Sequence, residues 1–291
     1  MDGKERKRRN KPSQNQGEGE GPRKGKEEIL NEPPPTSDEN SINNAPSEEE
    51  IRMAISELIE RIRRHEDVIR SGKMFEEIKI ELERLKSEIA KLKEKYPDIG
   101  NLERVLGKMT KYIERVEEKY GKYYAEEILD PIRRIEQDKA IRRSENGTIT
   151  IKSRHVTLRI SFPNYYPTFH VVLKRVGSIT VKVPKFLPDS VVIPLQWGIM
   201  LSDGHLLHNR PAVDTISLFQ VMLFMLSFPG RIRITIRNLD INEDGVKVVW
   251  RVVANDWDPP SLPKCQNDKD CQQINEEDAY IALFAGLIGD G

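Results

Sequence analysis

The hydrophobic period of this chain switches at Asn146-Gly147. Upstream, apolar residues recur every three and four positions and so share one side of a helix. Just downstream, over residues 148–183, they alternate with polar residues and so share one side of a strand. That switch excludes an all-α or an all-β fold. A chain of 291 residues, 37% hydrophobic and 32% charged, can bury a core while much of it stays solvated or elongated. The expected class is α+β: a disordered N-terminal tail, an α-helical coiled-coil or hairpin region, a β-rich section and an α/β half-domain.

The helical region spans residues 47–143. Ser47-Glu48-Glu49-Glu50 spells a capping box. Behind it, Ile51, Ile55, Leu58 and Ile62 line one helix face, and Ser71-Gly72 is the expected stop. Phe75, Ile78, Leu82, Leu85, Ile89, Leu92 and Tyr96 then form a heptad seam with Glu and Lys between them. Such a seam needs a partner helix, and Pro97 ends it. A third helix from about Asn101 carries Leu102, Val105, Met109, Ile113, Val116 and Tyr120 on one side, with Gly121 a candidate interruption. A further piece, Tyr123 to about Ile141, is kinked or restarted at Pro131. The pattern fits an antiparallel hairpin, a short coiled coil, or a homo-oligomer made through that coil.

Composition constrains the rest. Residues 1–46 almost lack apolar side chains and are expected to be disordered. The run Lys4-Glu5-Arg6-Lys7-Arg8-Arg9-Asn10-Lys11 can touch phosphates or remain a solvated tail. With 47 basic and 47 acidic residues the net charge is zero, so the distribution of charge matters more than its sum. Heavy use of Glu, Lys, Arg and Ile is a thermophile trait. Cys265 and Cys271 are expected as free thiols or a local loop staple, since no second Cys or His pair completes a zinc site. No signal peptide is visible. The longest apolar run, Leu218 to Phe228, is far below the ~20 residues of a bilayer span. A soluble, cytoplasmic protein with no membrane partner is expected.

Residues 146–188 hold four strand-like runs: Thr148–Lys152, Val156–Phe162, Phe169–Lys174 and Ile179–Val183. Residues 189–291 change pattern again. A helix from about Ser190 to Asp203 precedes a very short hairpin, Leu206 to Val213. A second helix, capped by Asp214 or Thr215, runs to about Phe228. Two strands follow, Arg231–Arg237 and Val246–Val253, joined by Asn242-Glu243-Asp244-Gly245, and a last helix ends the sequence. Arg231, Arg233 and Arg237 fall on one strand face with Thr235, opposite Ile232, Ile234 and Ile236. Lys247 and Arg251 repeat the charge on the next strand. A two-stranded ribbon fits the major groove and Arg is the commonest reader of guanine, so these five residues are candidate contacts to duplex DNA; an ordinary wet face is the alternative.

Two helical runs share a design. Trp197-Gly198-Ile199-Met200-Leu201-Ser202-Asp203-Gly204 and Phe284-Ala285-Gly286-Leu287-Ile288-Gly289-Asp290-Gly291 each place small residues four apart and end in Asp-Gly. The small pairs, Gly198 with Ser202 and Ala285 with Gly289, let two helices touch backbone to backbone. Packing of that kind would bring Asp203 and Asp290 together, and paired carboxylates bind divalent metal. His205 and His208 follow closely and read as turn residues, with metal ligation as the rival.

This pair resembles the signature helices of LAGLIDADG homing endonucleases. The resemblance implies that Asp203 and Asp290 are catalytic and hold Mg²⁺ beside a scissile phosphate, where a metal-bound water attacks. It implies an αββαββα half-domain over residues 189–291. Leu201 and Ile288 replace the first acidic residue of the signature. The family sets a DNA-binding sheet after each signature helix, so an end at Gly291 implies a truncated or degenerate member. More loosely, residues 195–291 resemble the multicopy repeat-encoded (paREP-type) proteins of hyperthermophilic archaea. The expected function is DNA binding with possible metal-dependent phosphodiester hydrolysis. The alternative is a non-catalytic coiled-coil oligomerisation protein of a mobile or repeated element.

Overall fold

The computed structural model describes residues 46–130, 141–143, 148–162, 166–258 and 275–289. The expected tail, apart from Pro46, lies outside them, as do the period switch, Pro131, both cysteines and Asp290. The expected regions 47–143, 146–188 and 189–291 share one unit and one apolar core. The fold is mixed helix and sheet.

Local signals start and stop the helices. Ser47 caps α1 (Glu48–Arg64): its hydroxyl accepts from the Glu50 amide at 3.2 Å and its own amide donates to the Glu50 carboxylate at 2.7 Å. The chain breaks at His65 and resumes as α2 (Glu66–Ser71). Gly72, in the left-handed region at φ 68°, then redirects it into α3 (Lys73–Lys93). After Pro97 the chain reverses into α4 (Gly100–Lys119), and a single π-helical turn over Tyr120–Tyr124 leads to α5 (Ala125–Leu129).

The heptad seam of α3 packs within the chain. Phe75, Ile78, Leu82 and Ile89 are buried against α4 and the sheet. Lys79 joins the two helices through Glu117 at 2.9 Å. Leu92 and Tyr96, beside the reversal, are exposed. Leu85 is half-buried and packs against the core. Leu85→Asp is therefore expected to cost roughly 1–2 kcal/mol by setting a charge against that seam. Denaturant melts check this; an unchanged midpoint would detach Leu85 from the core.

The sheet is antiparallel throughout. Its strands are β1 (Ile141–Arg143), β2 (Ile149–Lys152), β3 (Val156–Ser161), β4 (Thr168–Leu173), β5 (Ile179–Val183), β6 (Gly204–Leu207), β7 (Arg210–Thr215), β8 (Gly230–Ile241) and β9 (Val246–Ala254), in the order β1-β2-β3-β4-β8-β9-β7-β6. The long strand β8 takes β5 along its first residues and β4 farther on, on the same edge. Tyr112 of α4 fills the gap between them. Its hydroxyl accepts from the Ile236 amide at 3.1 Å and donates to the Gly177 carbonyl at 2.9 Å, so no buried backbone donor is stranded there.

Three helices complete the half beyond β5: α6 (Asp189–Leu201), α7 (Leu218–Ser227) and α8 (Glu276–Gly289). The cap of α7 is Ser217, whose hydroxyl accepts from the Gln220 amide, and not Asp214 or Thr215. Those two residues belong to β7, because the first hairpin is longer than its sequence pattern indicates. Among the described residues no helix is long and apolar enough to cross a membrane.

Candidate nucleic-acid interface

Pleating sorts the sheet residues between two faces. Ile149, Ile151, Leu158, Ile160, Val171, Ile232, Ile234, Leu239, Val248, Trp250 and Val252 share one face through their cross-strand pairing, and all are buried. The helices supply the other half of that core: Arg61 of α1 stacks over Phe169, and α3, α4, α5 and α7 contact the strands. The opposite face is cationic. Lys152, Arg159, Arg231, Arg233, Arg237 and Lys247 are all exposed there, and Arg251 is half-buried among them.

Register determines what these charges meet. Arg251 lies opposite Asp214 on β7 and binds it with two nitrogens, at 2.7 and 2.8 Å. The hydrogen bond to Asp214 raises the Arg251 pKa against the opposing effect of burial. A β-bulge interrupts the β8–β9 pairing between Ile236 and Asn238, so Arg237 is the extra residue, and it too reaches Asp214, at 2.6 Å. His205 approaches the same carboxylate at 3.6 Å. Arg231 is held by Asp256, whose carboxyl is kept below the usual range by that hydrogen bond. Of the five candidate contacts, then, Arg231, Arg237 and Arg251 carry internal ion pairs. Arg233 and Lys247 carry none among the described residues.

The pairing brings further groups to the same face. Arg159, His170, Asp240 and Lys247 form one row across β3, β4, β8 and β9. The His170 Nδ1 meets Asp240 at 2.6 Å, and Asn238 donates to the same carboxylate oxygen at 2.5 Å. Arg159 has no ion-pair partner among the described residues. The alternation of β8 and β9 points to Arg231–Arg251 from two strands only. Arg159 and Asp240 are not marked by that alternation, because their alignment depends on which strand borders β8, and Asp214 stands where the local pattern also fits a helix cap.

The motif helices meet closely. A Cβ on Gly198 would lie 2.1 Å from the Ala282 carbonyl oxygen and 2.7 Å from the Ala285 Cβ, so α6 and α8 touch where only glycine fits. Ser202 turns its hydroxyl back to the Gly198 carbonyl at 3.0 Å. Gly204 is equally constrained, with an added Cβ 2.6 Å from the Ile199 carbonyl oxygen. Asp203 is half-buried and accepts from Gln220 Nε2 at 2.6 Å. Gly289 ends α8, and Asp290 lies outside the described residues.

A Mg²⁺ site of the implied kind needs a second carboxylate beside Asp203. Among the described residues no three metal-ligating side chains gather, and one Asp203 oxygen is already engaged by Gln220. The second carboxylate of the implied pair, Asp290, lies outside the described residues. Comparison with known proteins gives no family: no family model matches the chain, and no curated protein or solved structure matches it.

Proposed function

We propose that this protein binds duplex DNA through the cationic face of its sheet. The observation that carries the reading is the position of Arg159, Arg233 and Lys247: exposed, on one face of a continuous sheet, and without an ion-pair partner among the described residues. Arg159 and Lys247 are three strand spacings apart, about 14 Å at ~4.8 Å per strand. That distance is on the scale of the major groove, roughly 12 Å wide. A protein surface of this kind gains its affinity by releasing counterions from phosphates.

The element order from α6 to α8 adds support. Helix, hairpin, helix, hairpin, helix is the αββαββα order that the LAGLIDADG resemblance implies. Mg²⁺-dependent cleavage through Asp203 and Asp290 is the activity that this resemblance implies. The test of binding is a fluorescence titration of a labelled duplex at several salt concentrations. A linear fall of log K with log salt, similar for two unrelated sequences, is expected. No binding at low salt would end the reading.

A further inference from the structure

At one end of the cationic face, Thr180, Arg210, Arg231, Arg233 and Asn255 line a cavity of about 390 Å³. That volume falls within the range of small-ligand sites, roughly 300–1,000 Å³. The three arginines come from two strands, β7 for Arg210 and β8 for the other two, with Thr180 supplied by β5; Asn255 follows β9. We infer that this cavity is a phosphate-binding pocket, taking a phosphoryl group through the guanidinium groups of Arg210, Arg231 and Arg233.

Two of the arginines are held in place by neighbours. Asp256 grips Arg231 through Nε at 2.7 Å, and the Asn255 side-chain oxygen accepts from Arg210 Nη1 at 3.0 Å. Each contact fixes a guanidinium while leaving other N–H groups to donate, which lowers the ordering needed when an anion arrives. Charge fits as well. The carboxylate of Asp256 offsets Arg231. Asn255 is neutral, so Arg210 keeps its charge, and Arg233 has no ion-pair partner among the described residues. Two positive charges therefore remain uncompensated at the pocket, and a phosphate monoester carries nearly two negative charges above its second pKa of about 6. Arg is the side chain suited to such a group, because its planar fork meets two phosphate oxygens at once. The Thr180 hydroxyl and the Asn255 amide add neutral donors.

The inference rests on the same cationic face as the DNA reading and names one place on it. Its ligand chemistry is shared by an end phosphate of a strand, a backbone phosphate and free phosphate. The experiment is a calorimetric titration of the full chain at pH 8 with inorganic phosphate, then with a short duplex carrying either a 5′-phosphate or a 5′-hydroxyl. Saturable uptake of one phosphate per chain is expected. Arg210→Ala and Arg233→Ala should each weaken it by about tenfold or more, while Lys111→Ala, on the helical side, leaves it unchanged. Uptake should also weaken at pH 5, where the ligand loses its second charge. Asp256 stays ionised there, because Arg231 holds its carboxyl below the usual range.

Tighter binding of the 5′-phosphate duplex than of its twin would support the pocket with a strand end as its ligand. Equal binding of the twins, weakened in both by Arg210→Ala, would support it with a backbone phosphate. Absence of phosphate uptake, or uptake indifferent to both arginine variants, overturns the pocket even if duplex binding persists. Phosphate uptake that depends on Arg210 and Arg233 without any duplex binding overturns the DNA reading and leaves the pocket standing.

Discussion

Gly198→Ala is expected to lower the stability of the protein by roughly 2–3 kcal/mol, the upper range for forcing extra atoms into a close-packed contact. One methyl group suffices, because the position it would take lies 2.1 Å from the Ala282 carbonyl oxygen and 2.7 Å from the Ala285 Cβ. Backbone cannot rotate aside as a side chain can. The helices α6 and α8 must therefore separate, and the contacts of Ala285, 1% exposed, are lost with them. Because α8 meets the rest of the fold mainly through α6, the damage should be local at first. Faster proteolysis within residues 275–289 should appear before the global melt shifts. Gly107→Ala serves as the contrast. Gly107 is also helical, nothing lies within 4 Å of its would-be Cβ, and the change should stabilise α4 by roughly 0.5–1 kcal/mol. Equal effects at the two sites would contradict the α6–α8 contact.

The combined variant Arg159→Ala, Arg233→Ala, Lys247→Ala should weaken duplex binding by roughly 10²–10³-fold at about 0.1 M salt. Each residue that neutralises one phosphate contributes about 0.9 to the slope of log K against log salt, so the slope should fall by about 2.7. The fold should survive, because all three side chains are exposed and surface changes are usually within ±0.5 kcal/mol. Arg237→Ala and Arg251→Ala are poorer probes, since both side chains already spend hydrogen bonds on Asp214. A triple variant that binds with the parent's affinity and slope would show the face to be only a solvated surface.

Much of the architecture could be read from residue order, and the unread part has a common cause. Strict alternation in Arg231–Ile236 places the charges on one side of β8, and Ile179–Val183 is a strand over those same residues. Ser47 with Glu50 and the small residue Gly198 act through neighbours three residues away or through their own lack of a side chain. Such local signals are visible in any sequence. What depends on pairing partners was not visible. The bulge at Arg237 follows from how β8 is matched to β9. Asp214 lies 23 residues from Arg237 and 37 from Arg251, and only the β7–β9 register joins them. The row from Arg159 to Lys247 likewise needs β4 to border β8, where His170 meets Asp240, 70 residues away in the chain. The heptad seam of α3 specified an apolar stripe but not its partner, because α4 and the sheet satisfy the same stripe that a second coil would.

Lysine acetylation of the full chain with and without saturating duplex, read by mass spectrometry, tests the DNA-binding face most directly. Lys152 and Lys247 lie exposed on the cationic sheet face, whereas Lys111 and Lys119 lie exposed on α4, on the helical side. Bound duplex is expected to protect Lys152 and Lys247 and to leave Lys111 and Lys119 as reactive as before. Protection of Lys111 and Lys119, or protection confined to Lys4, Lys7 and Lys11 of the basic N-terminal run, would contradict binding through the sheet.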